Sequence, residues 1–399
     1  MKGEFFKKRL DSGATVLFEK RKMPIATIVV ATRAGAAYEV RENKGLAHFF
    51  EHMLFKGSFK RDQKKISSAI EGVGGILNGF TSEQMTAFWC KVPSKHFDGS
   101  FEVIADMVLN PKVDAKELER ERGVIIQEMN MIHDQPKQFL FDKMKEISYQ
   151  EPFKWSILGF KENILKFKRE TFLGWHNKFY NPNNLIVSVV GSADFSNILK
   201  VSEKFFKKSG NEEMPAINLV PRNSNFIEKR KHIDQAHLGF LFHVPNLRNK
   251  KRYSCDVMNA ILGEGMSSRL FQEIREKRGL AYTIKSFVEQ ERDYGHCLVY
   301  AGVEKLNLKK TKELVLKELK GMKNLNSREI EQAKEQCIGR WNVQNEQSDA
   351  MAVQLFMQEM ATRAEEIYEY PEKISSVKIG DVKDLMKLKG LSQGMIIPG

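Results

Sequence analysis

The stretch that most constrains this chain is Gly45-Leu46-Ala47-His48-Phe49-Phe50-Glu51-His52-Met53-Leu54-Phe55-Lys56-Gly57. Positions 46 to 56 contain neither Pro nor Gly, and their residue types suit a helix. On a helix, residues i and i+4 lie one turn apart on one face, so His48 and His52 can grip a single ion. Imidazole is an ordinary zinc ligand, and catalytic zinc takes three protein ligands and leaves a position for water. Glu51, at i+3 from His48, can reach an attacking water without being forced onto the metal.

Two histidines at this spacing also occur on solvated surface helices, so the pattern is not sufficient by itself. A second stretch adds to it. Glu117-Leu118-Glu119-Arg120-Glu121-Arg122-Gly123-Val124-Ile125-Ile126-Gln127-Glu128-Met129 carries carboxylates at 121 and 128, two turns apart on one helical face. Asp114 reads as the N-cap of that helix, with Glu117 three residues on. One of Glu121 and Glu128 can be the third ligand and the other its neighbour; spacing alone leaves the order open.

At 399 residues the chain is long for one domain, and two domains are the expectation. Residues 209–225, rich in Gly, Pro, Asn and Ser, read as a linker between a domain at 1–208 and another at 226–399. After the linker the pattern restarts. Ala236 to Phe242 echoes the strand-like Thr27 to Thr32, Asp256 to Leu262 echoes the histidine helix, and Ser327 to Ala333 echoes the start at Asp114. In that register Glu121 stands opposite Ala333, Glu128 opposite Arg340, and His48–His52 opposite Cys255–Asn259. The second half carries the scaffold without the ligands. The helix therefore does not need His, His and Glu to fold, which argues that the first half keeps them for a metal.

The net charge of +13 is spread along the chain, and no nucleic-acid motif accompanies it, so we expect a solvated surface and no nucleic acid. The four cysteines are scattered, with no C-x-x-C pair, which points to buried thiols. No apolar run reaches the length of a membrane span, and a cytoplasmic bacterial location is expected. His96, His133, His176, His232, His237, His243 and His296 have no partner at ligand spacing and read as ordinary hydrogen-bonded or surface residues.

The segments His48 to Gly57, Asn78-Gly79-Phe80-Thr81-Ser82 and Glu121-Arg122-Gly123-Val124-Ile125-Ile126-Gln127-Glu128 together resemble the inverzincins, the pitrilysin family. The closer similarity is to the branch of mitochondrial processing peptidase and its bacterial relatives, in which Glu128, 76 residues beyond His52, falls at the expected distance. Met266 to Tyr282 is similar to the family's second half. The resemblance implies an α+β fold of two similar halves, each an antiparallel sheet layered with helices. It implies one Zn²⁺ per chain on His48, His52 and Glu128, with Glu51 as general base and Glu121 behind a ligand histidine. It implies a zinc endopeptidase acting on unstructured peptides in a chamber of two chains. Those chains form a homodimer, or a heterodimer with a related subunit lacking the ligands. Phe55, Asn78 and Phe80 are the expected substrate contacts, and Arg278 and Tyr282 are weaker candidates for the family's arginine–tyrosine pair. The competing expectation is a non-catalytic structural or assembly subunit of the same fold.

Overall fold

The computed structural model describes residues 3–207, 214–217 and 219–399, so residues 209–213 and 218 of the expected linker lie outside the described residues. By packing, the chain forms two units. The first comprises Met1–Asn130, Ser156–Asn218 and Gln344–Ile367; the second comprises Met131–Trp155, Leu219–Val343 and Tyr368–Gly399.

Among the described residues the first unit has a six-stranded sheet of β1 (Glu4–Arg9), β2 (Thr15–Lys20), β3 (Ile25–Thr32), β4 (Ile76–Thr81), β5 (Thr86–Pro93) and β6 (Leu185–Gly191), in the order β1-β2-β6-β3-β5-β4. All pairings are antiparallel except β2 with β6. β6 is buried along its whole length and β3 nearly so, which is why both read as unbroken apolar runs rather than as alternation. β4 lies at the edge of the sheet.

The histidine stretch is α1 (Leu46–Phe55). Leu46, Ala47, Phe49, Phe50, Met53 and Leu54 are all in the core, with the Phe49 ring edge-on to Phe172 at 5.0 Å and Phe50 edge-on to Tyr180 at 5.1 Å. Each such large side chain contributes on the order of 1.5–3 kcal/mol when fully buried, so packing rather than propensity holds this short helix. α2 (Ala115–Asp134) starts where expected, with Asp114 Oδ1 accepting from the N–H groups of Lys116 (2.9 Å) and Glu117 (3.4 Å).

The second unit repeats the plan with a five-stranded sheet, β7 (Asn225–Arg230), β8 (Gln235–His243), β9 (Ala281–Gln290), β10 (Gly295–Glu304) and β11 (Ser392–Pro398), ordered β7-β11-β8-β10-β9. Again one pair, β7 with β11, is parallel. The two halves are thus similar α+β layers, as expected, on sheets that are mixed rather than purely antiparallel. Three helices of this second unit are important below: α3 (Pro136–Ser148), α4 (Arg252–Leu262) and α5 (Ser327–Gln344).

The expected domains at 1–208 and 226–399 follow chain order, whereas packing exchanges a helix between them. α3 belongs to the N-terminal half of the chain but packs on β8 and β11. α6 (Ser348–Ala361) belongs to the C-terminal half but packs on β3 and β6. Thr27 and Ser348 hydroxyls meet at 2.9 Å, and Lys91 pairs with Asp349 at 2.9 Å. α3 finds its seat through two glycines. Gly239 of β8 and Gly394 of β11 are direct partners in the ladder. A Cβ at Gly239 would stand 2.9 Å from Met144 Cγ, and one at Gly394 would stand 2.5 Å from Met144 Sδ.

Neither glycine is in the left-handed region, so a larger residue there acts by volume alone. We expect Gly239→Val to destabilise the protein by about 1–3 kcal/mol, the usual cost of overpacking. Met144→Ala in the same chain should return part of that loss, read from urea midpoints.

Candidate metal centre

α1 presents His48 and His52 on one face, with ring centroids 4.7 Å apart. α2 lies across that face and brings Glu128 to both: its Oε2 is 3.7 Å from His48 Nε2 and 3.7 Å from His52 Nε2. Among the described residues this is the one set of three such side chains able to hold a metal ion, and their ligand atoms lie within 4.8 Å of one another. Ligand atoms about 2.0–2.1 Å from a tetrahedral ion sit roughly 3.3 Å apart, so the three need only a small inward movement. Two imidazoles and a carboxylate are a zinc-type donor set with room for a fourth ligand.

Glu121, two turns before Glu128, does not face the same point. Its Oε1 lies 2.9 Å from His52 Nδ1, and its Oε2 pairs with Lys56 Nζ at 2.7 Å. Nδ1 of His52 therefore carries the hydrogen that Glu121 accepts, which leaves Nε2 free for a metal. Lys56 was not singled out from the sequence. Its signal is its place four residues after His52, the same spacing that joins the two histidines.

Glu51 is buried, and Thr81 Oγ1 donates to its Oε2 at 3.2 Å. Burial pushes its carboxyl up to about 7, against the opposing pull of His52 and of the Thr81 hydrogen bond. Burial pushes His48 down to about 3, helped by His52. His52 moves the other way: burial lowers it, but the hydrogen bond to Glu121 and the charges of Glu51, Glu121 and Glu128 outweigh that. Burial also raises Glu128, a direction that a nearby dication reverses.

The expected substrate residues fall around β4. Phe55 is partly buried, with its ring centroid 5.8 Å from that of Phe88, and its Cζ crowds the backbone of Gly79, where a Cβ would be 2.9 Å away. It stands between α1 and the edge strand. Asn78 Oδ1 accepts from the N–H of Gly79 at 2.8 Å. The Phe80 ring lies 6.4 Å from that of Phe356 on α6, so it helps seat that helix.

In the second unit Arg278 is engaged with Glu273, through its carbonyl at 2.6 Å and its carboxylate at 2.8 Å. Tyr282 is 75% exposed. Arg275, seven residues before Tyr282, has its guanidinium 5.9 Å from the Tyr282 ring and no acidic partner among the described residues. Arg275 and Tyr282 line a cavity of about 480 Å³ with Gln235, Glu304 and Asn307.

Where the repeat puts the ligands' counterparts, the second unit has a closed polar cluster. Tyr370 Oη donates to Asp256 at 2.9 Å, Asn259 donates to Glu264 at 3.0 Å, Ser286 donates to Asn259 at 2.6 Å, and Arg340 pairs with Glu264. The cysteines are buried and unbridged, and none lies in the metal cluster. Of the remaining histidines, His176 meets Val108 O at 3.0 Å, His237 meets Tyr300 Oη at 2.8 Å and His296 meets Tyr149 Oη at 3.0 Å.

A metal pocket with a buried glutamate beside it, set on two helices over a sheet and repeated without its ligands, defines a metal-dependent peptidase. The chain belongs to peptidase family M16, the insulinase family. Residues 15–160 match the insulinase (peptidase family M16) domain, and residues 166–337 match the peptidase M16 inactive domain. It is 30% identical to the uncharacterized zinc protease YmxG of Bacillus subtilis, over 76% of this chain and 75% of that protein. It is 33% identical to an uncharacterized zinc protease of Rickettsia felis, over 80% of this chain and 77% of that one. In fold it is similar to a protease from Helicobacter pylori, with a TM-score of 0.92 at 21% identity, covering 99% of this chain and 100% of that one.

Replacing the Glu121 carboxylate by an amide leaves the three candidate ligands in place but removes the charge that holds the His52 ring. Glu121→Gln should weaken zinc binding by about 10- to 100-fold, the usual effect of losing such a partner. Cys255→Ser should leave metal content at the parent level, by elemental analysis of protein purified without chelator.

Proposed function

We propose that this chain is a zinc endopeptidase of the processing-peptidase-like bacterial branch, hydrolysing unstructured peptides or short polypeptides in a chamber formed by two chains. The observation that carries the chemistry is the meeting of His48 Nε2, His52 Nε2 and Glu128 Oε2 beside the buried Glu51. Named zinc proteases among the bacterial relatives support the choice of metal.

His48, His52 and Glu128 hold the ion, and Glu121 orients His52. Bound zinc supplies a Lewis acid that polarises the scissile carbonyl and makes water acidic near neutral pH. Glu51 takes the proton from the attacking water and delivers it to the leaving amine. Thr81 holds the Glu51 carboxylate toward β4, and burial makes that carboxylate a stronger base than an exposed one. The substrate adds to the free edge of β4 as an extended strand, with main-chain hydrogen bonds giving affinity and little sequence preference. Phe55, between that edge and α1, gives one sharper preference, for a large apolar residue on the C-terminal side of the cut. Arg275 and Tyr282 replace Arg278 and Tyr282 as the arginine–tyrosine pair that contacts substrate. A purely structural subunit would have no use for Glu51 beside three ligand side chains, which weighs against the alternative.

Cleavage of an unstructured peptide library, with and without chelator, tests the activity directly. Glu51→Gln keeps size and polarity but cannot accept a proton. It should retain zinc and lose turnover by at least about 10²-fold, the scale for a general base; cleavage at the parent rate would remove Glu51 from this role. Phe55→Ala should flatten the library preference with zinc still bound, and Arg275→Ala should raise KM where Arg278→Ala does not. Sedimentation should show a dimer, of this chain or with a related partner lacking the ligands, and folded proteins should resist digestion.

A further inference from the structure

The two ligand histidines are not held in the same way. His52 is oriented by Glu121, which Lys56 in turn secures. His48 is buried, and its Nδ1 has no hydrogen-bond partner. A metal-binding histidine ordinarily donates its second ring N–H to an oxygen that fixes tautomer and ring orientation. No such oxygen sets His48, so its position comes through the backbone and packing beneath it.

That backbone begins abnormally. α1 starts behind Gly45, whose φ of 103° is in the left-handed region and which has no side chain to cap the first N–H groups. Helices ordinarily use Ser, Thr, Asp or Asn there. Here Glu39, six residues upstream, does the capping from outside: Oε1 accepts from Ala47 N–H at 2.6 Å, and Oε2 accepts from Gly45 N–H at 3.2 Å. Ala47 is the residue immediately before His48. Lys44 Nζ lies 3.2 Å from Glu39 Oε2 and donates to Ala36 O at 2.7 Å, and both charged side chains are 0% exposed.

A fully buried ion pair is a poor source of stability, because desolvation cancels most of the attraction and an apolar pair of equal volume serves a core as well. An apolar pair cannot take up two N–H groups at the start of α1, nor set a negative charge at the positive end of its dipole. We propose that Glu39, with Lys44 as its buried counter-ion, is a positioning residue of the zinc centre: it fixes the first turn of α1 and through it His48. This rests on the zinc site proposed above.

The test uses the full chain as Glu39→Gln and as Glu39→Gln/Lys44→Met. It reads the zinc dissociation constant by competition with a chromophoric chelator, and the melting temperature of metal-free protein. Glutamine keeps the size but offers one oxygen to two N–H groups and no charge. Methionine removes the ammonium that Glu39→Gln leaves buried and unpaired. We expect Glu39→Gln to raise the zinc dissociation constant by at least about tenfold, the lower end for losing an orienting partner. The double variant should recover the metal-free melting temperature while zinc binding stays weakened. A purely structural role moves the melting temperature alone, so a folded variant with the parent dissociation constant overturns the proposal. Recovery of both quantities in the double variant also overturns it, since the unpaired Lys44 would then be the whole effect. If Glu39→Gln does not fold, the double variant alone decides. A parent chain that takes up no zinc removes the metal site itself, a result distinct from either.

Discussion

Everything in the first unit is arranged around one requirement: two imidazoles one helical turn apart must meet a carboxylate from another helix at a single point. The turn is supplied by α1, but a ten-residue helix is marginal in water and would not hold that geometry alone. Its apolar residues are therefore sunk into the core on several sides, and the polar pair faces the remaining gap. The aromatic rings of Phe49 and Phe50 pack edge-on against the neighbouring helix, so a rotation of α1 about its axis has to displace close-packed rings. Rigidity of the ligand pair is a consequence of core packing, and Glu128 needs only the angle between α1 and α2 to be kept.

The second unit shows what the same scaffold does when no metal is called for. The counterpart of α1 is α4, and its acid Asp256 is partly buried, with its carboxyl pushed up to about 6 by desolvation. The chain supplies the neutralising groups covalently. Arg340 stands where the repeat aligns Glu128, and its guanidinium pairs with Glu264, whose carboxylate also accepts from Asn259. A guanidinium is permanently charged and offers several fixed donors, so it satisfies such a cluster without depending on a dissolved ion. Replacing a carboxylate ligand by an arginine converts a site that attracts a cation into one that already contains it.

The repeat, the strands and the ligand set were legible because each rests on local pattern. His48, Glu51 and His52 sit within one turn, Glu121 and Glu128 within two, and β3 and β6 are apolar runs. The exchange of α3 and α6 was not legible, because helix periodicity says which face is buried and not against which sheet. Its trace was the pair Gly239 and Gly394, distant in sequence and adjacent only once β8 and β11 are paired. Glu39 and Lys44 were hidden for a related reason. A capping residue is sought at the helix start, and here the cap comes from six residues before Gly45 across a short loop. Arg275 and Arg278 are three residues apart, and only the fold shows that Arg278 is engaged with Glu273 while Arg275 lies beside the Tyr282 ring.

The edge strands of the two sheets carry the argument one step further. An exposed edge is a template for unwanted pairing, and proteins usually protect it with charge, above all lysine. β9, at the edge of the second sheet, carries Lys285 and Glu289 along its length. β4, at the edge of the first, is Ile-Leu-Asn-Gly-Phe-Thr and carries no charge at all, with Ile76 exposed. The unprotected edge is the one beside Glu51, joined to it by the Thr81 hydrogen bond. Leaving that edge neutral exposes the protein to aggregation, and pairing with extended substrate is a use that justifies the hazard. An uncharged edge of this kind suits the strand addition proposed for the substrate, because main-chain pairing asks little of the sequence that is bound.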